Sequence, residues 1–245
     1  MDWSLAKPQE EAELPESGVI VPAWFPSELP PAQIRMLLHH TLAGSQRLTP
    51  AERLVVVVDG QPRVSAVAHE LQEEWEQELG APFVVLDLPE NRGKGAAVGV
   101  GLEYLGAEAP GAYCLTRDAD GDHRVSDMPR LAQLAEQVAR EQGTDLVTII
   151  GGRQSLHRPM NWLRGELELW VDEVATEGYK LVRAREGVAL STQYYAAYGG
   201  YADLESGCKL YSAAAARLGA QALRAESERY PELDLLRWGC EIIPL

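Results

Sequence analysis

The sequence is poor in cysteine, in positive charge and in long apolar runs. Its 245 residues include three cysteines, Cys114, Cys208 and Cys240, and this odd, widely spaced set in apolar surroundings predicts buried free thiols in a reducing compartment. Lys and Arg total 22 against 37 Asp and Glu, so the formal net charge is -15. This charge argues against nucleic acid and anionic membrane as general partners, because both are polyanions.

Two further absences concern location. No apolar run approaches the roughly 18 residues of a membrane span. The N-terminus shows no charged and apolar signal pattern. We therefore expect a protein without a transmembrane segment that is cytoplasmic, or peripheral to the membrane.

The distribution of apolar residues predicts the fold class. Residues 1–17 are rich in Glu and Pro without periodicity, which is typical of a flexible N-terminal lead-in. From residue 18 onward, short apolar runs that start near residues 19, 54, 83 and 112 each precede a segment with helical spacing, and another run follows at 146. This alternation predicts an α/β protein with a doubly wound, mainly parallel sheet and helices on both faces, in one Rossmann-like domain.

Polar or glycine-rich groups follow each predicted strand. In sheets of this kind, ligands bind beyond the carboxyl ends of the strands, so these groups are expected to converge on one edge. In chain order they are Pro22-Ala23-Trp24, Asp59-Gly60, Glu90 to Gly95, Asp118 to His123, and Gly151-Gly152-Arg153.

The segment from Asp118 to His123 carries three carboxylates at alternate positions, on Asp118, Asp120 and Asp122. Carboxylates held so close repel one another, and the cluster is stable mainly when a divalent cation neutralises it. Mg2+ or Mn2+, liganded by oxygens and shared with a phosphate, is the natural occupant. The alternative is a solvated acidic turn.

The turn from Asn91 to Gly95 offers two glycines for close backbone approach and two cations, Arg92 and Lys94, for phosphate charge. Alone, this pattern is more often a turn that leads into a helix. It matches neither GxxxxGK[ST] nor GxGxxG, which argues against a P-loop or a dinucleotide site.

The order of these motifs resembles family 2 of the glycosyltransferases, inverting enzymes with a GT-A fold, and most closely the dolichol-phosphate mannosyltransferase-like subgroup. The resemblance covers about residues 18–245 and implies a nucleotide-sugar half over 18–127 and an acceptor half over 128–245. It also implies transfer of a sugar from a GDP- or UDP-sugar to a hydroxyl or phosphate acceptor, such as a lipid phosphate or a small hydroxyl compound.

The resemblance assigns roles to particular residues. The implied metal ligands are Asp118, Asp120 and Asp122. The implied donor-binding residues are Pro22, Ala23, Trp24, Asp59, Asn91, Gly93, Lys94, Asp118 and Arg153. The implied catalytic bases, in a segment that matches Asp-x-x-Ser-Gly, are Asp203 and Glu205. The chain departs from the family pattern at Phe25-Pro26, at Val58-Asp59 and at Asp122.

The expected chemistry follows from charge. Cleavage of a sugar-diphosphate bond leaves negative charge on the diphosphate, which a metal ion with Lys94 and Arg153 would stabilise. Transfer to a hydroxyl needs a carboxylate base, whereas a phosphate acceptor is already anionic and needs none.

Other interpretations of the acidic segment remain open. A doubly wound phosphotransferase or phosphatase would use Asp118 as nucleophile, although such motifs usually end the first strand rather than the fourth. An EF-hand loop that starts at Asp118 requires Gly at its sixth position and Glu at its twelfth, but His123 and Pro129 are found. A GT-A domain that binds a nucleotide-sugar without transferring it is the third alternative.

A helical stripe of apolar residues lies further along the chain, at Trp162, Leu163, Leu167 and Trp170. This spacing is typical of a core helix, while an exposed edge could contact a sugar or an apolar acceptor.

Overall fold

The computed structural model describes residues 16–108, 111–152, 162–187, 203–204 and 206–229. Within these ranges the strands form a six-stranded sheet in the order β3-β2-β1-β4-β6-β5. The strands are β1 (Ser17–Ala23), β2 (Leu54–Asp59), β3 (Val84–Leu88), β4 (Tyr113–Thr116), β5 (Thr148–Ile150) and β6 (Lys209–Ser212).

The sheet is mainly parallel. Strand β1 pairs in parallel with β2 and β4, and β2 pairs in parallel with β3. Strand β6 is antiparallel to both β4 and β5, so β5 points in the same direction as the first four strands. The predicted α/β class with a mainly parallel sheet is confirmed, whereas β6 was not predicted as a strand.

Helices cover both faces of the sheet. They are α1 (Pro31–Ser45), α2 (Pro62–Leu79), α3 (Lys94–Glu108), α4 (Met128–Gln142), α5 (Trp162–Arg185) and α6 (Ala213–Arg229). Residues of α1, α2 and α4 form one hydrophobic cluster with alternate residues of the strands, and residues of α3 and α6 form a second cluster with the others. All six residues of β2 are buried, because both faces of a parallel strand are covered and no polar alternation remains.

The helix boundaries follow local rules. Proline lies in the first turn of α1, α2 and α4. Backbone N–H groups in this turn have no acceptor within the helix, so the absence of an N–H on proline costs no hydrogen bond. Helices α2 and α4 end at Gly80 and Gly143, which adopt φ angles of 71° and 63°. Glycine enters this left-handed region without a Cβ penalty and ends the helix.

Helix α5 reverses the expected distribution of its side chains. The apolar residues Trp162, Leu163 and Trp170 are each more than half exposed, while Glu168 and Asp172 are buried. The described structure therefore does not place this apolar stripe in the core. None of the described helices combines the length and the apolar composition needed to cross a membrane.

Candidate active site

The carboxyl ends of β2, β3 and β4 contact one another through their polar residues. Lys94, the first residue of α3, places its Nζ 2.6 Å from Oδ1 of Asp118. On the other side, Nε2 of His123 lies 3.5 Å from Oδ2 of the same carboxylate. The turn after β3 and the acidic segment after β4 thus meet at Asp118, as the predicted topology requires.

Asp118 is held as an anion in a fixed position. Burial opposes its ionisation, but the imidazole of His123 and the ammonium of Lys94 outweigh that effect and hold the pKa of Asp118 well below its usual range. Gly207 packs directly against it, and a Cβ atom at Gly207 would overlap the carboxylate. The segment before β6 therefore contacts the acidic segment at this carboxylate.

Asp120 and Asp122 lie next to this carboxylate and are exposed. Oδ1 of Asp120 accepts a hydrogen bond of 3.2 Å from the backbone N–H of Asp122. Partial loss of surrounding water raises the pKa of Asp120, and the negative charges of Asp118 and Asp122 raise it further. This is the repulsion that a bound cation would relieve.

The acidic segment fits a shared metal ion better than a closed protein cage. Among the described residues, no group of three or more His, Cys, Asp or Glu side chains is arranged to hold a metal ion. Mg2+ is commonly bound by one or two carboxylates together with water and substrate phosphates. The exposed oxygens of Asp120 and Asp122 suit that mode.

Helix α1 supports the acidic segment through a buried arginine that sequence reasoning missed. Arg117 is 1% exposed, and its guanidinium donates to the backbone oxygen of Thr41 (3.0 Å), to Oγ of Ser45 (2.6 Å) and to the backbone oxygen of His123 (2.8 Å). Oγ1 of Thr41 donates to the backbone oxygen of Ala119. An arginine at the end of an apolar run carries no sequence signal for these contacts.

Asp59 organises the turn that presents Lys94. It is 3% exposed, its Oδ1 accepts the N–H of Arg92 at 2.7 Å, and its Oδ2 accepts the N–H of Gly93 at 2.9 Å. Gly93 has a φ angle of 85°, and Oδ1 of Asn91 also accepts its N–H. The predicted contact of Asp59 with a nucleotide base stays a prediction.

The segment after β1 is held by two side chains from the start of α2. Gln61 accepts the N–H of Phe25 at 2.9 Å and donates to its backbone oxygen at 2.8 Å. Arg63 donates to the backbone oxygen of Leu29 at 2.7 Å. Next to this segment, Pro22 is partly exposed, Ala23 is buried and Trp24 is 50% exposed.

The predicted acceptor segment is tied to β5 and α5. Oγ of Ser206 donates to the backbone oxygen of Gly151 at 2.6 Å, and the N–H of Leu204 donates to Oδ1 of Asp172 at 2.9 Å. Asp203 is 2% exposed. The predicted base Glu205 and the predicted cation Arg153 lie outside the described residues.

Comparisons with known proteins support the sequence resemblance over part of the chain. No family model matches. Undecaprenyl-phosphate 4-deoxy-4-formamido-L-arabinose transferases from Pseudomonas fluorescens (strain Pf0-1) and Pseudomonas savastanoi pv. phaseolicola (strain 1448A / Race 6) are each 34% identical over 119 residues, 48% of this chain. The matched part is 32% of each relative, so the chain spans about a third of the length of these curated relatives.

Among solved structures, a mannosyltransferase from Pyrobaculum calidifontis in complex with GDP-Man and Mn2+ is similar, with a TM-score of 0.38 and 21% identity over 54% of this chain and 36% of that chain. The matched part of this chain is related in sequence to glycosyltransferases, which confirms the predicted resemblance to family 2.

Proposed function

We propose that this chain is an inverting glycosyltransferase that uses Mg2+ or Mn2+ to transfer a sugar from a nucleoside-diphosphate donor to a lipid phosphate. The observation that carries this proposal is the meeting of Lys94 and Asp118 at the carboxyl edge of the sheet, 2.6 Å apart, beside the exposed carboxylates of Asp120 and Asp122. The sequence relation to undecaprenyl-phosphate sugar transferases supports it.

In the proposed donor site, different residues bind the metal ion and the diphosphate. Asp120 and Asp122 would hold the metal ion, which supplies positive charge to the departing diphosphate. Lys94 is partly exposed, so its ammonium is placed to bind a diphosphate oxygen while it orients Asp118. Arg153, which follows β5 in the sequence, would add a further cation.

The donor nucleotide would lie toward β1 and β2. Trp24 offers an exposed aromatic face at this edge, and a base can stack on such a face. Behind it, Pro22 and Ala23 anchor the strand end. Asp59 would either contact the base or hold the turn that contains Asn91 and Gly93 and presents Lys94.

The burial of Asp203 favours a phosphate acceptor. A general base must come within hydrogen-bond reach of the hydroxyl that it deprotonates, and a side chain that is 2% exposed is poorly placed for this. A phosphate oxygen is already anionic and can attack the anomeric carbon directly. The new carbon–oxygen bond would form opposite the breaking bond to the diphosphate, and this single displacement inverts the anomeric centre.

The test starts with donor binding. Thermal unfolding of the chain is measured with GDP-mannose, UDP-glucose, UDP-N-acetylglucosamine and the free diphosphates, with and without Mn2+. A donor at 100 times its dissociation constant should stabilise the chain by roughly 2.7 kcal/mol, and only with the metal.

Turnover is then followed with undecaprenyl phosphate and with a soluble alcohol as acceptors. Transfer to the lipid phosphate alone is the expected result. If no nucleotide stabilises the chain in the presence of Mn2+, the donor part of the proposal is wrong. Formation of a covalent phosphate on Asp118 would identify a phosphotransferase instead.

A further inference from the structure

A cavity of about 350 Å³ adjoins the acidic segment. It lies between the second half of α1 and residues 121–125. Its charged and imidazole side chains are His40, Arg47, Arg117, Asp122, His123 and Arg124. Of the residues assigned to the proposed donor site, Asp122 lines the cavity, whereas Asp118, Asp120 and Lys94 do not.

The charge of this cavity is opposite to that of the whole chain. The chain has a net charge of -15, yet the cavity collects three arginines and the single carboxylate of Asp122. Among the described residues, no carboxylate forms an ion pair with Arg47, Arg117 or Arg124. The three arginines outnumber the one carboxylate of the lining, so the cavity carries a net positive charge.

Arg117 is the strongest sign of a missing anion. It is 1% exposed, and each of its acceptors is neutral: two backbone oxygens and the hydroxyl of Ser45. Its Nε is buried without a hydrogen-bond partner. A buried cation whose hydrogen-bond acceptors are all neutral is unfavourable, and an anion in the adjoining cavity would stabilise it.

The volume sets the size of the ligand. A water molecule occupies about 30 Å³ in the liquid, so the cavity has room for orthophosphate or pyrophosphate with several waters. Arginine pairs well with phosphate because its planar guanidinium can donate two parallel hydrogen bonds.

We propose that this cavity is an anion site for a small phosphate-bearing molecule, and that it adjoins the proposed donor site at Asp122. Arg117 supplies the buried cation, and Arg47, just after α1, and Arg124, in the segment after Asp122, supply exposed cations to the ligand. Because Arg117 also donates to the backbone oxygen of His123, the bound anion links α1 to the acidic segment.

The test measures pyrophosphate binding to the full chain by calorimetry, with a chelator present and the ionic strength held constant. Arg47→Gln and Arg124→Gln each remove an exposed cavity cation, so the fold should persist. Each is expected to weaken binding roughly tenfold, the effect of losing one charged hydrogen bond. The matched control is Arg130→Gln, an exposed arginine outside the cavity, which should bind like the wild type.

Two further variants test the charge of the lining and the independence of this site from Lys94. Asp122→Asn removes the one carboxylate of the lining and should tighten pyrophosphate binding. Lys94→Gln should leave it unchanged. If pyrophosphate does not bind the wild type at millimolar concentration, or if Lys94→Gln loses binding while both cavity variants keep it, the proposal is wrong. Equal weakening in Arg130→Gln would also overturn it, because the attraction would then be unspecific.

The source of the phosphate is identified by parallel titrations with orthophosphate, pyrophosphate and uridine monophosphate. The ligand whose affinity falls most in Arg124→Gln is the one that the cavity recognises. This experiment needs neither metal nor sugar donor, so its result does not depend on whether the chain is a glycosyltransferase.

Discussion

Gly207 and Asp118 are in such close contact that a Cβ atom on Gly207 would overlap the carboxylate of Asp118. The contact joins the segment before β6 to the end of β4, and Oγ1 of Thr116 reinforces it with a hydrogen bond of 3.0 Å to the backbone oxygen of Gly207. The proposed acceptor and donor sides therefore share one rigid boundary, and Asp118 lies on it.

Gly207→Ala should displace Asp118 from Lys94. We expect at least a tenfold loss of donor affinity or turnover, together with a destabilisation of about 1–3 kcal/mol from overpacking. Calorimetric donor binding and thermal unfolding measure the two effects. The control is Gly178→Ala in α5, where an added Cβ meets nothing within 4 Å. Unchanged donor binding in the Gly207 variant would show that the position of Asp118 is not important.

Asp120→Ala should abolish metal-dependent binding of nucleoside diphosphate while leaving the fold intact. Removal of one charge from a repelling cluster should not destabilise the metal-free protein. The control is Asp145→Ala, an exposed acid at the amino end of β5, on the opposite edge of the sheet. Equal diphosphate affinity of wild type and Asp120→Ala, with and without chelator, would disprove the metal assignment.

Lys94→Met should reduce stability in a pH-dependent way. The lowered pKa of Asp118 in the folded state means that the Lys94–Asp118 pair contributes stability above the unfolded pKa of about 4 and loses it as the pH falls through the folded value. The difference in unfolding free energy between wild type and variant should thus be at its maximum at pH 6 and should decrease as the pH falls well below 4. Denaturant unfolding across this range tests it.

The control for that series is Lys180→Met, which breaks the surface pair of Lys180 with Glu177. A pair at this helical spacing should contribute less than about 0.5 kcal/mol. A larger effect of the Lys180 variant than of the Lys94 variant at pH 6 would contradict the importance of the partly buried Lys94–Asp118 pair.

Asp203→Asn and Glu205→Gln distinguish the two acceptor classes. With a lipid-phosphate acceptor, both variants should bind donor normally and keep turnover within about tenfold of wild type. Loss of a general base would lower turnover by roughly 10² to 10⁴-fold without weakening donor binding, and that result would indicate a hydroxyl acceptor. Loss of donor affinity as severe as in Asp120→Ala would assign this segment to the donor site.

The thiols of Cys114 and Cys208 should not react with iodoacetamide in the folded protein at pH 8. Burial raises the pKa of each thiol to about 12, so only about one molecule in 10⁴ carries the reactive thiolate at that pH. Peptide mass spectrometry before and after unfolding in urea measures the labelling. Rapid labelling of either cysteine in the native state would contradict its burial.

Much of the framework could be predicted from the sequence. The apolar runs of β1 and β2 and the helical spacing after them predict a covered parallel sheet, because a strand buried on both faces needs apolar residues at every position. The parallel direction then places Asp59, Lys94 and Asp118 on one edge, and the structure brings the last two into contact. These features depend on local pattern and on one topological rule.

Only the tertiary structure decided how these residues are used. The four residues of β6, Lys209–Ser212, do not form an apolar run like those of the parallel strands. They form a strand because their backbone groups pair with β4 on one side and with β5 on the other. Asp59 accepts two backbone N–H groups and Arg117 finds neutral acceptors on α1. Such contacts join residues far apart in the chain, and a side chain's partner in a packed interior depends on which distant segment lies against it.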